Sequence, residues 1–527
     1  MKIQSNRISF KRTTAANGFT RTSLVLENPE EMLGETPADA KPLATFIHLS
    51  DLHVCDAKSP ARIEFLDRYA DPDYETRQQI DYVGTYRPQE FLTLQVVEAM
   101  VRAANAIKTG PLLGGTVDGV LITGDVIDNG QANELEWYRN LMEGGWVSSA
   151  SGDLSVVEAA HGTHDSFLDD HYYKPDSTGA QRTVEKWGMV PLPGLAEAAH
   201  SKFTATGLKH PWYAIHGNHD AMLQGMVPPT EALNELVTGP EKLSAVASNV
   251  DPREVFAEFS EVGPANYPDN SLLETVSVTA DSRRRFVQMS DWVEAHTACA
   301  HDHGLTKDAE VAYWVRDFGD VRVIALDTVN EWGGWQGCID ERQFSWLKQQ
   351  LDQSLDKYVV LTSHHPLQDL FNGYVPEGVK RAHLKDEVAN LLSEYPSVIA
   401  WVAGHVHDHN ISFTKSKNGD WGFWQIRTAS HMDWPQQSRV IEIAKTMDGR
   451  IAIGTQVFDH AGAAILSLTD LAGFNSGALG DVNRLAGISR VLAANDWQRF
   501  AGSNSLEVLE GQPADRNAWL WLSDPLL

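Results

Sequence analysis

Five short apolar runs in this chain each stop at side chains able to hold a metal ion. Ala44 to Leu49 leads to Asp51 and His53, Gly119 to Thr123 leads to Gly124-Asp125, and Trp212 to Ile215 leads to Gly217-Asn218-His219-Asp220. Tyr358 to Thr362 runs into Ser363-His364-His365-Pro366, and Val398 to Ala403 into Gly404-His405-Val406-His407. Apolar, β-branched runs closed by polar residues read as buried strands, and α/β sheets gather their ligands beyond the carboxyl ends of such strands. Taken singly, Asp51 with His53 and Gly124-Asp125 read as ordinary turn residues, and Gly217 to Asp220 as an Asx turn. Chance does not account for their recurrence at five strand ends.

The spacing within each motif suits metal chemistry. On extended chain, Asp51 and His53, or His405 and His407, stand two residues apart and point to the same side. Gly124 lets backbone pass close to a site, and the two oxygens of Asp125 can bridge two cations. Asn218 offers an uncharged amide oxygen, while the adjacent His219-Asp220 pair leaves a proton donor free of the metal.

A sixth run, Val321 to Leu326, and amphipathic stretches at Pro88 to Ile107, Asp340 to Leu355 and His383 to Tyr395 complete an α/β pattern. From Asp408 onward strands follow with little helix between them, at Ile411 to Thr414, Gly422 to Arg427, Arg439 to Ile443 and Ile451 to Val457, which predicts antiparallel pairing. Asp128 to Lys209 and Ala221 to Asp308 are polar and weakly periodic; both read as insertions that form a cap or lid over a site. The expected organisation is an N-terminal extension over 1–40, a main domain over 41–460, and a C-terminal helical appendage over 461–527, with Val482 to Phe500 as its clearest helix.

Motif by motif, Asp51-x-His53, Gly124-Asp125, Gly217-Asn218-His219-Asp220, His364 and Gly404-His405-x-His407 resemble the calcineurin-like metallophosphoesterases, from about Thr45 to Asp408. The resemblance implies a four-layer α/β/β/α sandwich of two mixed sheets flanked by helices, carrying two metal ions. It implies that Asp51, His53 and His407 hold one ion, that Asn218, His364 and His405 hold the other, and that Asp125 bridges them. His364 is chosen over His365 because the family ligand lies two residues before a proline, here Pro366; His365 is then structural. Asp128 stands where purple acid phosphatases carry a tyrosine, so the chain resembles the bacterial phosphodiesterase branch. Mn, Zn and Fe all suit a mixed imidazole and oxygen set.

Two divalent cations against two ligand carboxylates leave a net positive pocket, which can activate a bridging hydroxide and clamp a phosphoryl group for in-line attack. His219 is placed to protonate the leaving alkoxide, with Asp220 orienting it. The expected activity is hydrolysis of a small or medium organic phosphate. A diester is slightly favoured over a monoester, and a non-catalytic metal-binding scaffold is the remote alternative.

Lys plus Arg is 43 against 71 for Asp plus Glu, a net charge of −28. A field of that sign repels polymeric nucleic acid and disfavours a nuclease. No run is long enough to span a membrane, Met1 to Leu26 lacks an apolar core, and three dispersed cysteines, Cys55, Cys299 and Cys338, give no disulfide framework. A cytoplasmic location is expected; oligomeric state is left open. Three further features are read as structural: His301 and His303 as solvated loop, His431 as a surface histidine, and Trp332, Trp335, Trp401, Trp421, Trp424 and Trp434 as core or interface aromatics.

Overall fold

Alternation along single strands shows how the layers arise. Val321, Val323 and Ala325 join one hydrophobic cluster, and the intervening Ile324 and Leu326 join another, so each strand feeds two cores. The computed structural model describes residues 7–14, 20–27, 37, 39–70, 84–163, 170–260, 270–298, 303–417, 419–471, 480–499 and 505–527. Cys299 and His301 lie outside them.

Twelve strands form the two main sheets. They are β1 (Lys41–Leu49), β2 (Gly119–Ile122), β3 (Trp212–Ala214), β4 (Trp314–Phe318), β5 (Val321–Leu326), β6 (Tyr358–Ser363), β7 (Val398–Ala403), β8 (Asn410–Lys415), β9 (Gly422–Arg427), β10 (Gln437–Lys445), β11 (Arg450–Asp459) and β12 (Ala518–Ser523). One sheet has the order β4-β5-β6-β7-β9-β8, the other β12-β11-β10-β1-β2-β3. In each, parallel strands carry the site: β5, β6, β7 and β9 run parallel in the first, β1, β2 and β3 in the second. The late strands pair antiparallel, as their sequence predicts, but β8 and β9 join one sheet and β10 and β11 the other.

Helices α1 (Thr93–Ala106) and α2 (Ala132–Glu143) pack with the second sheet, and α3 (Met289–Thr297) lies against α2. Helices α4 (Glu341–Asp352) and α5 (Lys385–Leu392) cover the first sheet through Leu347, Leu351, Val388 and Leu392. The molecule is thus an α/β/β/α sandwich of two mixed sheets. The inner faces of both sheets meet in one cluster that joins Val323, Val360 and Val402 to Ile441 and Ile453.

Two boundaries differ from the sequence reading. The stretch from Asp128 does not leave the core at once, because Leu135, Tyr138 and Leu141 give α2 an apolar face that packs into the main cluster. Beyond residue 461, α6 (Val482–Ala494) packs on α1, and β12 adds an edge strand to the second sheet, so this segment is built into the sandwich. No helix among the described residues is long and apolar enough to cross a membrane.

Candidate metal centre

The loops that follow β1, β2, β3, β6 and β7 converge on one point. Asp51, His53, Asp125, His405 and His407 all have positive φ, between 43° and 71°, and they are five of the seven non-glycine residues with that conformation among the described residues. Such backbone is unfavourable for a side chain with Cβ and concentrates at functional sites. Close approach also dictates two glycines. At Gly124, with φ of 80°, a Cβ would press on the His364 ring and on Gly217; at Gly404 it would overlap Ser50 and the Asp51 carboxylate.

Distances bring six of the seven candidate ligands together. His364 Nε2 lies 3.1 Å from Asp125 Oδ2 and 3.1 Å from His405 Nδ1. His53 Nε2 faces His407 Nε2 at 3.0 Å and Asp125 Oδ2 at 3.8 Å, and His407 Nε2 is 3.4 Å from Asp51 Oδ1. Four groups of three have ligand atoms in reach of a common ion: Asp51, His53 and His407; Asp51, Asp125 and His364; His364, His365 and His405; and His53, Asp128 and His219. The backbone amide of His405 donates to Asp51 at 3.0 Å, tying the two sheets across the site.

Asn218 supplies a test of whether cations fit. Its Nδ2 donates to Gly225 O at 3.1 Å, which leaves Oδ1 buried without a hydrogen-bond partner. An orphaned buried acceptor costs about 1–3 kcal/mol, and a cation bound at this site would give it a partner. The mixed imidazole, carboxylate and amide donor set therefore suits divalent ions.

Electrostatics run the same way. Burial opposes ionisation of Asp125, yet His364 and His219 hold its carboxyl well below the usual carboxylate range. Burial likewise works against His364 and His407, but Asp125 raises the first to about 9, and Asp433 with Asp51 raises the second to about 9. His53, buried and next to His219, falls to about 4. The site thus holds its carboxylates ionised among imidazoles of both protonation tendencies.

His219 sits at the edge of the cluster, its Nε2 4.0 Å from Asp125 Oδ2. Its Nδ1 donates to the Asp128 carbonyl at 2.7 Å and lies 3.5 Å from the Asp128 carboxylate. Asp220 does not orient it, contrary to the sequence reading. The Asp220 oxygens accept the amides of Val126, Ile127 and Gly217, so this carboxylate stitches the β2 and β3 loops together. Asp128 takes the orienting place, and it also accepts from His53 Nδ1 at 3.0 Å.

Sequence reasoning missed the layer behind these groups. Arg62, fully buried, donates to Asp128, to Glu64 at 2.6 Å and to Glu90 at 2.8 Å, and Lys242 closes on Glu64 at 3.0 Å. Asp433 accepts from His407 Nδ1 at 2.6 Å and pairs with Arg87. The clue for Asp128 was present in the Gly124 to Gly130 segment; nothing local marks Arg62 or Asp433.

The remaining histidines divide cleanly. His365 has both ring nitrogens occupied, by Thr328 Oγ1 at 2.8 Å and the Trp335 carbonyl at 2.9 Å. His431 is buried rather than at the surface, held between Ser50 O and Ser438 Oγ behind the Asp51 loop. His303 is not solvated either: it stacks on Trp212 and bonds its carbonyl at 2.6 Å. Cys55 is buried against Asp128 and Arg62, and burial pushes its thiol up. Trp401 and Trp434 are core residues, whereas Trp335 is exposed beside His405.

Comparison with known proteins bears on this geometry. A model of the calcineurin-like phosphoesterase family matches residues 44–409. A probable glycerophosphodiester phosphodiesterase GpdQ from Arcobacter nitrofigilis is 29% identical over 129 residues, which cover 24% of this chain and 41% of that protein. The chain thus spans less than half the length of this curated relative. Among solved structures, a dimetal phosphatase from Danio rerio aligns over 80% of this chain and 100% of its own at 14% identity and a TM-score of 0.27. The sulfate thiohydrolase SoxB of Thermus thermophilus aligns over 82% of this chain and 59% of its own at 12% identity and a TM-score of 0.30.

Proposed function

The chain belongs to the calcineurin-like phosphoesterase family of metal-dependent phosphoester hydrolases, and on that premise we propose that it hydrolyses small organic phosphodiesters, with His219 as the proton donor to the leaving group. Asp51, His53 and His407 would hold one divalent ion, Asn218, His364 and His405 a second, and Asp125 would lie between them. Bound there, the ions supply an activated water and positive charge for the phosphoryl oxygens.

The residues of the chain do the rest. His219 donates its Nδ1 proton to the Asp128 carbonyl, which leaves Nε2 as the atom directed to the reacting centre. Burial disfavours its charged form, but Asp125 and Asp128 raise its pKa above the ordinary imidazole value, so the ring carries the proton a departing alkoxide needs. The carboxylate of Asp128 fixes both this ring and that of the candidate ligand His53. A diester is preferred because the curated relative is a probable glycerophosphodiester phosphodiesterase.

The carrying observation is the position of His219 at the edge of the cluster, its Nδ1 engaged by the Asp128 carbonyl and its Nε2 4.0 Å from Asp125 Oδ2. His219→Ala in the metal-reconstituted enzyme is expected to keep both ions and to lose about 10²- to 10⁴-fold in kcat on alkyl esters. On nitrophenyl esters, whose leaving group needs no proton, the loss should be far smaller. Equal losses on both would remove the general-acid role. Comparison of bis(nitrophenyl) phosphate with nitrophenyl phosphate decides between diester and monoester.

A further inference from the structure

We propose that Trp335 determines specificity at this site, by stacking a planar aromatic ring carried on one ester of the substrate. This rests on the phosphodiesterase reading above and adds a substrate class to it. Trp335 is 41% exposed, and its indole lies 5.7 Å from the His405 ring at an interplanar angle of 20°. Phe371, 38% exposed, meets it edge-on at 5.6 Å. Two exposed aromatics therefore form a continuous apolar rim beside a candidate ligand.

The rim is held rigidly. The Trp335 carbonyl accepts His365 Nε2 at 2.9 Å, Gly334 N donates to Met226 O at 3.0 Å, and Asn372 Nδ2 donates to Gly333 O at 2.7 Å. The backbone that carries the indole is thus fixed by loops of both sheets, and a ring that stacks there loses little to main-chain ordering. Ring stacking on an aromatic side chain contributes about 1–3 kcal/mol.

Calorimetric titration of the metal-reconstituted protein with phenylphosphonate and cyclohexylphosphonate tests this without turnover. The aromatic ligand should bind about 10-fold tighter, Trp335→Leu should bring the ratio to about one, and Trp335→Phe should restore part of it. A ratio of one in the unaltered protein, or a preference that survives Trp335→Leu, overturns the proposal. 5′-Deoxyadenosine-5′-phosphonate locates the source of the ring: tighter binding than phenylphosphonate supports a nucleobase, weaker binding a simple aryl group. Hydrolysis of bis(nitrophenyl) phosphate tests the underlying activity separately. Retained phosphonate preference with no hydrolysis would reject the enzymatic reading and keep the platform.

Discussion

Asp128 shows how one carboxylate can serve two neighbours at once. One oxygen meets His53 and His219, and the other receives the guanidinium of Arg62. Burial alone would protonate this acid, but Arg62 together with hydrogen bonds from His219 and His53 outweighs it and holds the carboxyl well below its usual range. Asp128→Asn keeps the shape but turns an amide donor either towards Arg62 or towards the imidazoles. Partners of this kind are worth 10- to 100-fold in activity or metal affinity. We expect a loss of about that size in kcat, accompanied by weaker metal retention that elemental analysis after dialysis will show. Arg62→Met is a different lesion: Asp128, Glu64 and Glu90 remain buried without their common cation. Removing one partner of a buried charge network costs about 3–5 kcal/mol, which a urea unfolding curve measures. Arg62→Lys should rescue little, since one ammonium cannot reproduce a fork that donates in three directions.

At the level of elements, the strands were the most legible part of the chain. Val321–Leu326, Val398–Ala403 and Gly422–Arg427 fall where their apolar runs begin and end, because burial on both faces leaves a continuous hydrophobic stretch with polar stops. Sheet membership was not legible: β9 and β10 are neighbours in sequence, but period-two alternation carries no record of which sheet a strand joins. The seven candidate ligands stand out in the sequence because each lies just beyond a strand. Arg62, Asp433 and the buried role of His431 do not, since their partners are distant in sequence and nothing in their own segments records the contact. Helix α6 was legible as a helix but not as part of the sandwich. Its Ala486 contacts Val96 and Ala99 of α1, and a Cβ at Gly487 would run into the Ala463 carbonyl. Gly487→Ala gains helix propensity of roughly 1 kcal/mol and forces the helix from its seat, at a cost of about 1–3 kcal/mol. A net loss of stability, seen as a lower urea midpoint with an unchanged slope, is the expected outcome; a gain would mean that α6 packs loosely.

Across the whole molecule, the candidate centre is where the two sheets are joined. Asp51, Asp125 and Asn218 follow strands of one sheet, and His364, His405 and His407 follow strands of the other. Ions held by both sets would act as cross-links between the halves of the sandwich, and would give the buried Asn218 acceptor a partner at the same time. Ligands that bind only the folded state stabilise it by mass action, about 2.7 kcal/mol per site at free metal 100-fold above its Kd. With an unfolding entropy of about 2.1 cal/mol/K per residue, a chain of this size should gain roughly 2 °C per occupied site. Scanning calorimetry in Mn or Zn against the same protein in chelator should therefore show a rise of about 5 °C with both sites filled. Replacing His53 and His405 together by Ala takes one donor from each proposed ion and should abolish the rise. The same rise in that double variant would show that the stabilising ions bind elsewhere, and would separate the junction of the sheets from the chemistry assigned to it.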